Sequence, residues 1–145
     1  DHSFDVPAEI ATCSASEVLR EGTGLCYAKS HLLAGLLRFA GFPTGFCYAR
    51  LANADRPGKF VLRGFNAIYW GPSEEWIFVD PRGNWEGIHS EVRFAAPFSL
   101  AYAPDREQGE SFLPFIYRRP GKRIIDLLQR APDFAAVRRN LPDQL

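Results

Sequence analysis

The sequence predicts an α+β fold in which one long helix packs on an antiparallel sheet. A helical apolar stripe occupies the segment Cys26–Ala40, with members Leu32, Leu33, Leu36, Leu37 and Ala40. Three strand-like segments follow at short intervals, Phe46–Leu51, Phe60–Trp70 and Trp76–Asp80. Connections this short join antiparallel strands, and a helix followed by a run of strands is typical of α+β domains.

The segment before the long helix is predicted to be irregular and then to form one short helix. Residues 1–12 show no periodicity, and Pro7 interrupts them. Ser14 followed three residues later by Glu17 is a capping-box pattern, which predicts a helix reaching Arg20. Two nearby glycines then end this short helix.

Both ends of the long helix have sequence signals. Thr23 or Gly24 stands where the N-cap belongs, which would place Cys26 in the first turn. Gly41 is the expected residue just past the C-terminus, and Pro43 prevents the helix from continuing.

Beyond the third strand the signals weaken. Residues 84–120 contain four prolines and predict long loops with one short strand, Phe115–Arg118. An amphipathic pattern predicts a helix over Lys122–Arg130, and a further helical turn or two is expected within Pro132–Asn140.

Length and composition indicate one globular domain spanning residues 1–145. The 17 basic and 17 acidic residues cancel, so we expect no nucleic-acid partner and no attraction to an anionic membrane. No apolar run approaches the ~20 residues of a membrane span, and no signal peptide is visible. The sequence also lacks phosphate-loop, dinucleotide and metal-ligand motifs, so we predict no cofactor and no metal.

Cysteine usage favours a reducing compartment. Cys13, Cys26 and Cys47 are odd in number and lack short paired spacings, which argues against a disulfide framework. We therefore expect a cytoplasmic location. Cys13 and Cys47 are interpreted as structural, since Cys47 lies in an apolar strand and Cys13 has no histidine nearby in sequence.

Cys26 is the candidate nucleophile. It follows Gly22-Thr23-Gly24 at the predicted start of the long helix. A helix N-terminus lowers the pKa of a thiol through its free amide groups and the positive end of its dipole. The same amides could stabilise an oxyanion, although a buried structural role is the commoner fate of a single cysteine.

Two motifs lie in order along this part of the chain. The first combines Gly24-Leu25-Cys26 with the apolar helix and its exit Ala40-Gly41-Phe42-Pro43. The second is Trp76-Ile77-Phe78-Val79-Asp80-Pro81. Together they resemble the transglutaminase-like superfamily, which has the papain-like fold of cysteine hydrolases and acyltransferases, and in which the aspartate of the second motif orients the catalytic histidine. Arg82-Gly83-Asn84 resembles an uncharacterised bacterial subgroup, in which a helix normally precedes residue 1. The similarity covers about residues 13–84.

The histidine that this resemblance leads us to expect is missing. Counting back from Tyr69 places Arg63 at its position, and an alternative register places Asn66 there. Side chains alternate along a strand, so only one of the two can point at Cys26, and the spacing favours Arg63. Arginine cannot act as a base, but it would lower the pKa of Cys26 and pair bidentately with Asp80.

Other histidines are candidate accessory groups. His31 lies five residues after Cys26, about 140° around the helix, and so cannot reach it. His2 belongs to a segment that resembles one preceding the core in the bacterial subgroup, and His89 lies in a loop that could fold over the cleft. A surface position is the commoner outcome for both.

Two functions remain open at this stage. In the first, Cys26 forms a thioester with a peptide, amide or thioester substrate, Asp80 orients a partner group, and Arg63 replaces the histidine electrostatically. Loss of the general acid would slow amide chemistry by about 10²–10⁴-fold but affect activated thioesters less. In the second, the domain is a degenerate binding or assembly module with a structural Arg63–Asp80 pair. The substrate and the oligomeric state are left open.

Overall fold

The computed structural model describes residues 1–5 and 9–145, so the predicted break at Pro7 lies outside the described residues. The described helices are α1 (Ala15–Glu21), α2 (Cys26–Phe39), α3 (Lys122–Arg130) and α4 (Phe134–Arg139). The strands are β1 (Thr44–Ala52), β2 (Phe60–Trp70), β3 (Glu75–Val79) and β4 (Ser111–Phe112), with a 3-10 turn at Arg106–Gln108. This confirms the predicted α+β class. No helix in this part of the chain is long and apolar enough to cross a bilayer.

The four strands form one antiparallel sheet in the order β3-β2-β1-β4. β1 pairs with β2 along the whole length of β1, from Thr44 opposite Ile68 to Ala52 opposite Phe60. The predicted boundaries of β1 and β3 were within two residues of those observed, and those of β2 agree. In this strand order β2 lies between β3 and β1, and it packs against α2.

Side chains of β2 alternate between two apolar layers, as the period of two predicts. Leu62 belongs to the layer shared with α2, together with Tyr27 and Phe46. Phe65 and Ala67 belong to the opposite layer. Each face of the sheet is therefore covered, and a residue's position in β2 decides which layer it enters.

The capping box at the start of α1 is present as predicted. The Ser14 hydroxyl accepts the Glu17 N–H at 3.2 Å, and the Glu17 carboxylate accepts the N–H groups of Cys13 and Ser14 at 2.8 and 2.9 Å. Backbone donors free at the helix start thus gain acceptors. Gly22 ends α1 in the left-handed conformation with φ +67°.

The predicted cap of α2 is wrong. Leu25 is the N-cap and gives no side-chain hydrogen bond, while Cys26 is the first helical residue. Thr23 and Gly24 are taken up by the N-terminal segments instead: the Thr23 carbonyl accepts the Thr12 hydroxyl, and Gly24 forms a parallel bridge with His2. Amide groups at the start of α2 therefore lack a side-chain cap.

The end of α2 follows the prediction. Gly41 has φ +89°, its N–H donates to the Arg38 carbonyl, and the Phe42 N–H donates to the Leu37 carbonyl. These two bonds define a Schellman motif, which needs a residue able to adopt positive φ. The chain then turns directly into β1.

The predicted strand Phe115–Arg118 is wrong. The described strand in this region is β4, and Tyr117 makes only an isolated bridge with Phe46. Pro114 lies between them and has no N–H, so the ladder along β1 breaks there. The two C-terminal helices are confirmed, and the Asp133 side chain caps α4 by accepting the Ala136 N–H at 2.7 Å.

Candidate active site

Cys26 lies at the first position of α2, against the middle of β2. Its Sγ accepts the Gly64 N–H at 3.5 Å, and the residue is 7% exposed. A Cβ at position 64 would lie 3.1 Å from the Tyr27 ring, so glycine allows the strand to approach the helix this closely. The Tyr27 hydroxyl donates to the Leu62 carbonyl and holds the same contact together.

Burial raises the pKa of the Cys26 thiol. Arg63 and the Gly64 N–H oppose this shift, and the Asp80 charge adds to it, but desolvation is the largest effect. Arg63 thus acts on the pKa of Cys26 in the expected direction, but burial outweighs it and the net shift is upward. Burial therefore favours the protonated thiol over the thiolate.

Arg63 and Asp80 form a buried ion pair beside Cys26. Arg63 Nη2 lies 3.0 Å from both carboxylate oxygens, and the two side chains are 11% and 2% exposed. The expected two-nitrogen fork is thus replaced by one nitrogen that bridges both oxygens. Asp80 also accepts the N–H groups of Arg82 and Ala101, and the Arg63 guanidinium lies over the Tyr102 ring at 4.4 Å. Four hydrogen bonds therefore fix Asp80, and the ion pair and the Tyr102 ring hold Arg63 in one position.

Asn66 has a different environment from Arg63. It is fully buried beneath α2, where its amide nitrogen donates to the carbonyls of Ser30 and Gly45 at 3.3 and 3.2 Å. These bonds connect β1, β2 and α2. The structure therefore separates Asn66 from Arg63 as strand alternation requires, and Asn66 does not line the cavity described below.

His2 is buried near Cys26, with 3% of its surface exposed. Its Nδ1 accepts the Phe4 N–H at 3.3 Å, while its Nε2 is buried without a partner among the described residues. Burial lowers the pKa of His2 to about 3, and the charges of Arg82, Arg63 and Lys29 act in the same direction. His2 is accordingly a neutral imidazole.

The two remaining histidines lie away from Cys26. His89 is on the surface and does not line the cavity that contains Cys26. His31 Nδ1 lies 2.6 Å from the Cys13 carbonyl and ties α2 to the segment before α1. This second contact agrees with the expectation that His31 cannot reach the thiol.

A cavity of about 420 Å³ brings Cys26, Arg63 and His2 together. Asp80 does not line the cavity, but it bonds Arg63, which does. Its wall is partly apolar and includes Leu25, Leu51, Val61, Leu62 and Leu141. Its volume is typical of sites for small ligands or short peptide segments.

Sequence reasoning missed Arg82 and Tyr102, which also line this cavity. Arg82 donates two hydrogen bonds to Asp5, at 2.5 and 2.7 Å. Its position two residues after Asp80 could have identified it as a candidate site residue. Tyr102 lies in a long loop with no recognisable pattern, so nothing in the sequence indicated its contact with Arg63.

The comparison with protein families identifies the class of this chain. The model of the transglutaminase-like superfamily matches residues 4–81, more than half of the chain, and includes Cys26, Arg63 and Asp80. The chain therefore belongs to the transglutaminase-like superfamily. No curated protein and no solved structure matches it.

Proposed function

We propose that this chain is a catalytically degenerate transglutaminase-like domain that uses its Cys26 cavity to bind a ligand. The observation that carries the proposal is the Arg63–Asp80 pair. In the family, as the sequence resemblance implies, an aspartate orients a histidine base at this place. Here the aspartate holds a guanidinium, which cannot accept a proton from the thiol.

The state of Cys26 supports the same conclusion. Nucleophilic attack needs the thiolate, and burial raises the pKa of this thiol. His2 is the histidine that lines the cavity, but its Nδ1 already accepts the Phe4 N–H. The Nε2 of His2 then carries the single proton of the neutral ring, so His2, like Arg63, cannot accept a proton from Cys26.

A second candidate function is slow acyl transfer from an activated thioester. The contact between Cys26 Sγ and the Gly64 N–H favours it, because that bond and the Arg63 charge both stabilise a thiolate. Cys26 would form a bond to the acyl carbon as the bond to the departing sulfur breaks, and the thiol proton would pass to that sulfur. Deacylation would then lack a base, so acyl-Cys26 would accumulate.

Mass spectrometry after incubation with an N-acetylcysteamine thioester separates the two functions. The binding proposal predicts no stoichiometric acyl-Cys26 in the wild-type chain and no release of amine from a glutaminyl peptide. The variant Arg63→His supplies an imidazole next to Asp80 and should gain acylation, while Arg63→His with Cys26→Ala should not. Stoichiometric acylation of wild-type Cys26, even if slow, would overturn the binding proposal in favour of acyl transfer.

A further inference from the structure

The face of the sheet opposite α2 forms an apolar cavity of about 480 Å³, here called the back cavity. Its floor consists of Cys47, Phe65 and Phe78, one residue from each of β1, β2 and β3. Residues from the segments 98–103 and 112–116 supply the rest of its lining. The back cavity is distinct from the Cys26 cavity, because the two share only the lining residue Ala103.

One wall of the back cavity is formed where the chain bulges after β4. The Leu113 N–H donates to the Tyr48 carbonyl at 2.9 Å, and the Tyr117 N–H donates to the Phe46 carbonyl at 2.8 Å. A single residue of β1 lies between these two acceptors, whereas the segment 114–116 lies between the two donors. The longer segment arches away from the strand and stands above the floor of the cavity.

Phenylalanine rings provide much of the surface inside the back cavity. Phe98 packs edge-to-face on Phe78 with ring centroids 5.3 Å apart, and Phe112 packs in the same way on Phe65 at 5.7 Å. Phe115 extends from the arched segment and is 65% exposed. Rings packed edge-to-face have further faces and edges available for contact with an apolar ligand.

The lining of the back cavity carries no charge. In the described part of the chain every side chain that lines it is apolar, and Cys47 alone carries a heteroatom. Burial raises the pKa of Cys47 to about 12, so its thiol is neutral. A charged group on a ligand would lose its hydration here without gaining a partner. The back cavity therefore matches an uncharged ligand.

A second apolar cavity, of about 560 Å³ between α2 and the other face of the sheet, has a different lining. It includes Phe94, but it also includes Lys29 and Asp80. Because the charge argument does not apply to this cavity, it serves as a control for the back cavity.

We infer that the back cavity binds a small, uncharged, apolar molecule. Its volume is within the range of small-ligand sites, and its rings supply the apolar contact that such sites use. The lack of charge along the described lining sets the class of the ligand. This site is additional to the Cys26 cavity and does not depend on the function proposed for it.

Fluorescence titration of the full chain tests this inference with two probes that share one ring system. N-Phenylnaphthylamine is uncharged, and anilinonaphthalene sulfonate carries a sulfonate on the same rings. We expect the uncharged probe to bind with an increase in fluorescence. The sulfonate should bind at least about tenfold more weakly, because the anion would be desolvated without a partner.

Three variants locate the bound probe. Phe115→Asp introduces a charge at an exposed position of the wall and should weaken binding of the uncharged probe about tenfold or more. Phe115→Leu keeps the wall apolar and should bind within a few fold of wild type. Phe94→Asp is the matched control in the second cavity, since Phe94 is 54% exposed, and it should leave the affinity unchanged.

Equal affinity for the two probes, no binding of the uncharged probe, or loss of binding in Phe94→Asp instead of Phe115→Asp would overturn the inference. Size-exclusion chromatography examines another occupant, a second copy of the chain. A dimer that Phe115→Asp converts to a monomer would overturn the inference in favour of that copy. None of these readouts involves Cys26, so this inference and the function proposed for the Cys26 cavity can fail separately.

Discussion

Breaking the Arg63–Asp80 pair should destabilise the fold strongly. The Asp80 side chain is 2% exposed, so Arg63→Ala leaves a buried carboxylate without its counter-charge. Removal of one partner from a buried pair costs roughly 3–5 kcal/mol. Asp80 keeps the N–H groups of Arg82 and Ala101, so we expect a loss of about 3 kcal/mol, at the lower end of that range.

The chain offers a matched control in the exposed pair Asp55–Arg138. Its Nε–Oδ2 distance is 2.8 Å, similar to that of the buried pair, but its two side chains are 53% and 54% exposed. Solvent screens such a pair, so Arg138→Ala should destabilise the chain far less than Arg63→Ala. Arg138 forms the two-nitrogen fork that Arg63 lacks, so a larger loss in Arg63→Ala would reflect burial and not better geometry.

Urea denaturation of the wild type and the two variants measures both values. Asp80→Asn, combined with Arg63→Ala in a double-mutant cycle, would give the coupling energy of the pair itself. Equal losses in Arg63→Ala and Arg138→Ala would refute the reasoning, because they would mean that Asp80 is solvated in the folded chain.

Three further predictions concern His2, Gly64 and Cys47. Since the pKa of His2 is about 3 when folded and ~6.5 when unfolded, the unfolded chain binds more protons between these values, and stability falls as pH decreases. This contributes about 2 kcal/mol between pH 7 and pH 5, and urea titrations of His2→Phe should lack it. Gly64→Ala should cost about 1–3 kcal/mol by crowding Tyr27, whereas exposed Gly71→Ala, with nothing within 4 Å, should be neutral in the same assay. Burial raises the pKa of Cys47 to about 12, so iodoacetamide should leave it unlabelled in the native chain at pH 9, as peptide mapping can check; labelling of native Cys47 would contradict its burial.

Local patterns predicted the parts of the fold that local forces determine. The capping box of Ser14 and Glu17 and the glycine exit of α2 depend on residues within a few positions of each other. Strand alternation also separated Arg63 from Asn66, because the period of two puts them on opposite faces of β2. The start of α2 was mispredicted since Gly24 pairs with His2, which is distant in sequence.

The chemical state of the site could not be predicted in the same way. The pKa of Cys26 depends on how completely β2 and the loops exclude water, and no motif encodes that. Asp80 gains an N–H from Ala101, twenty-one residues later, and Arg63 gains the ring of Tyr102. These contacts arise from the packing of a long loop against the sheet, and they hold the residues that fill the site.

The pH dependence of Cys26 alkylation by iodoacetamide tests most directly whether Cys26 is an unactivated thiol or an activated thiolate. Mass spectrometry locates the label, Cys26→Ser is the control, and the midpoint is informative even if limited access slows the rate. We predict a midpoint above the ~8.5 of a free thiol, because burial raises the pKa. A midpoint well below 8 that is lost in Arg63→Ala would mean an activated thiolate, and would contradict the proposal of a degenerate site.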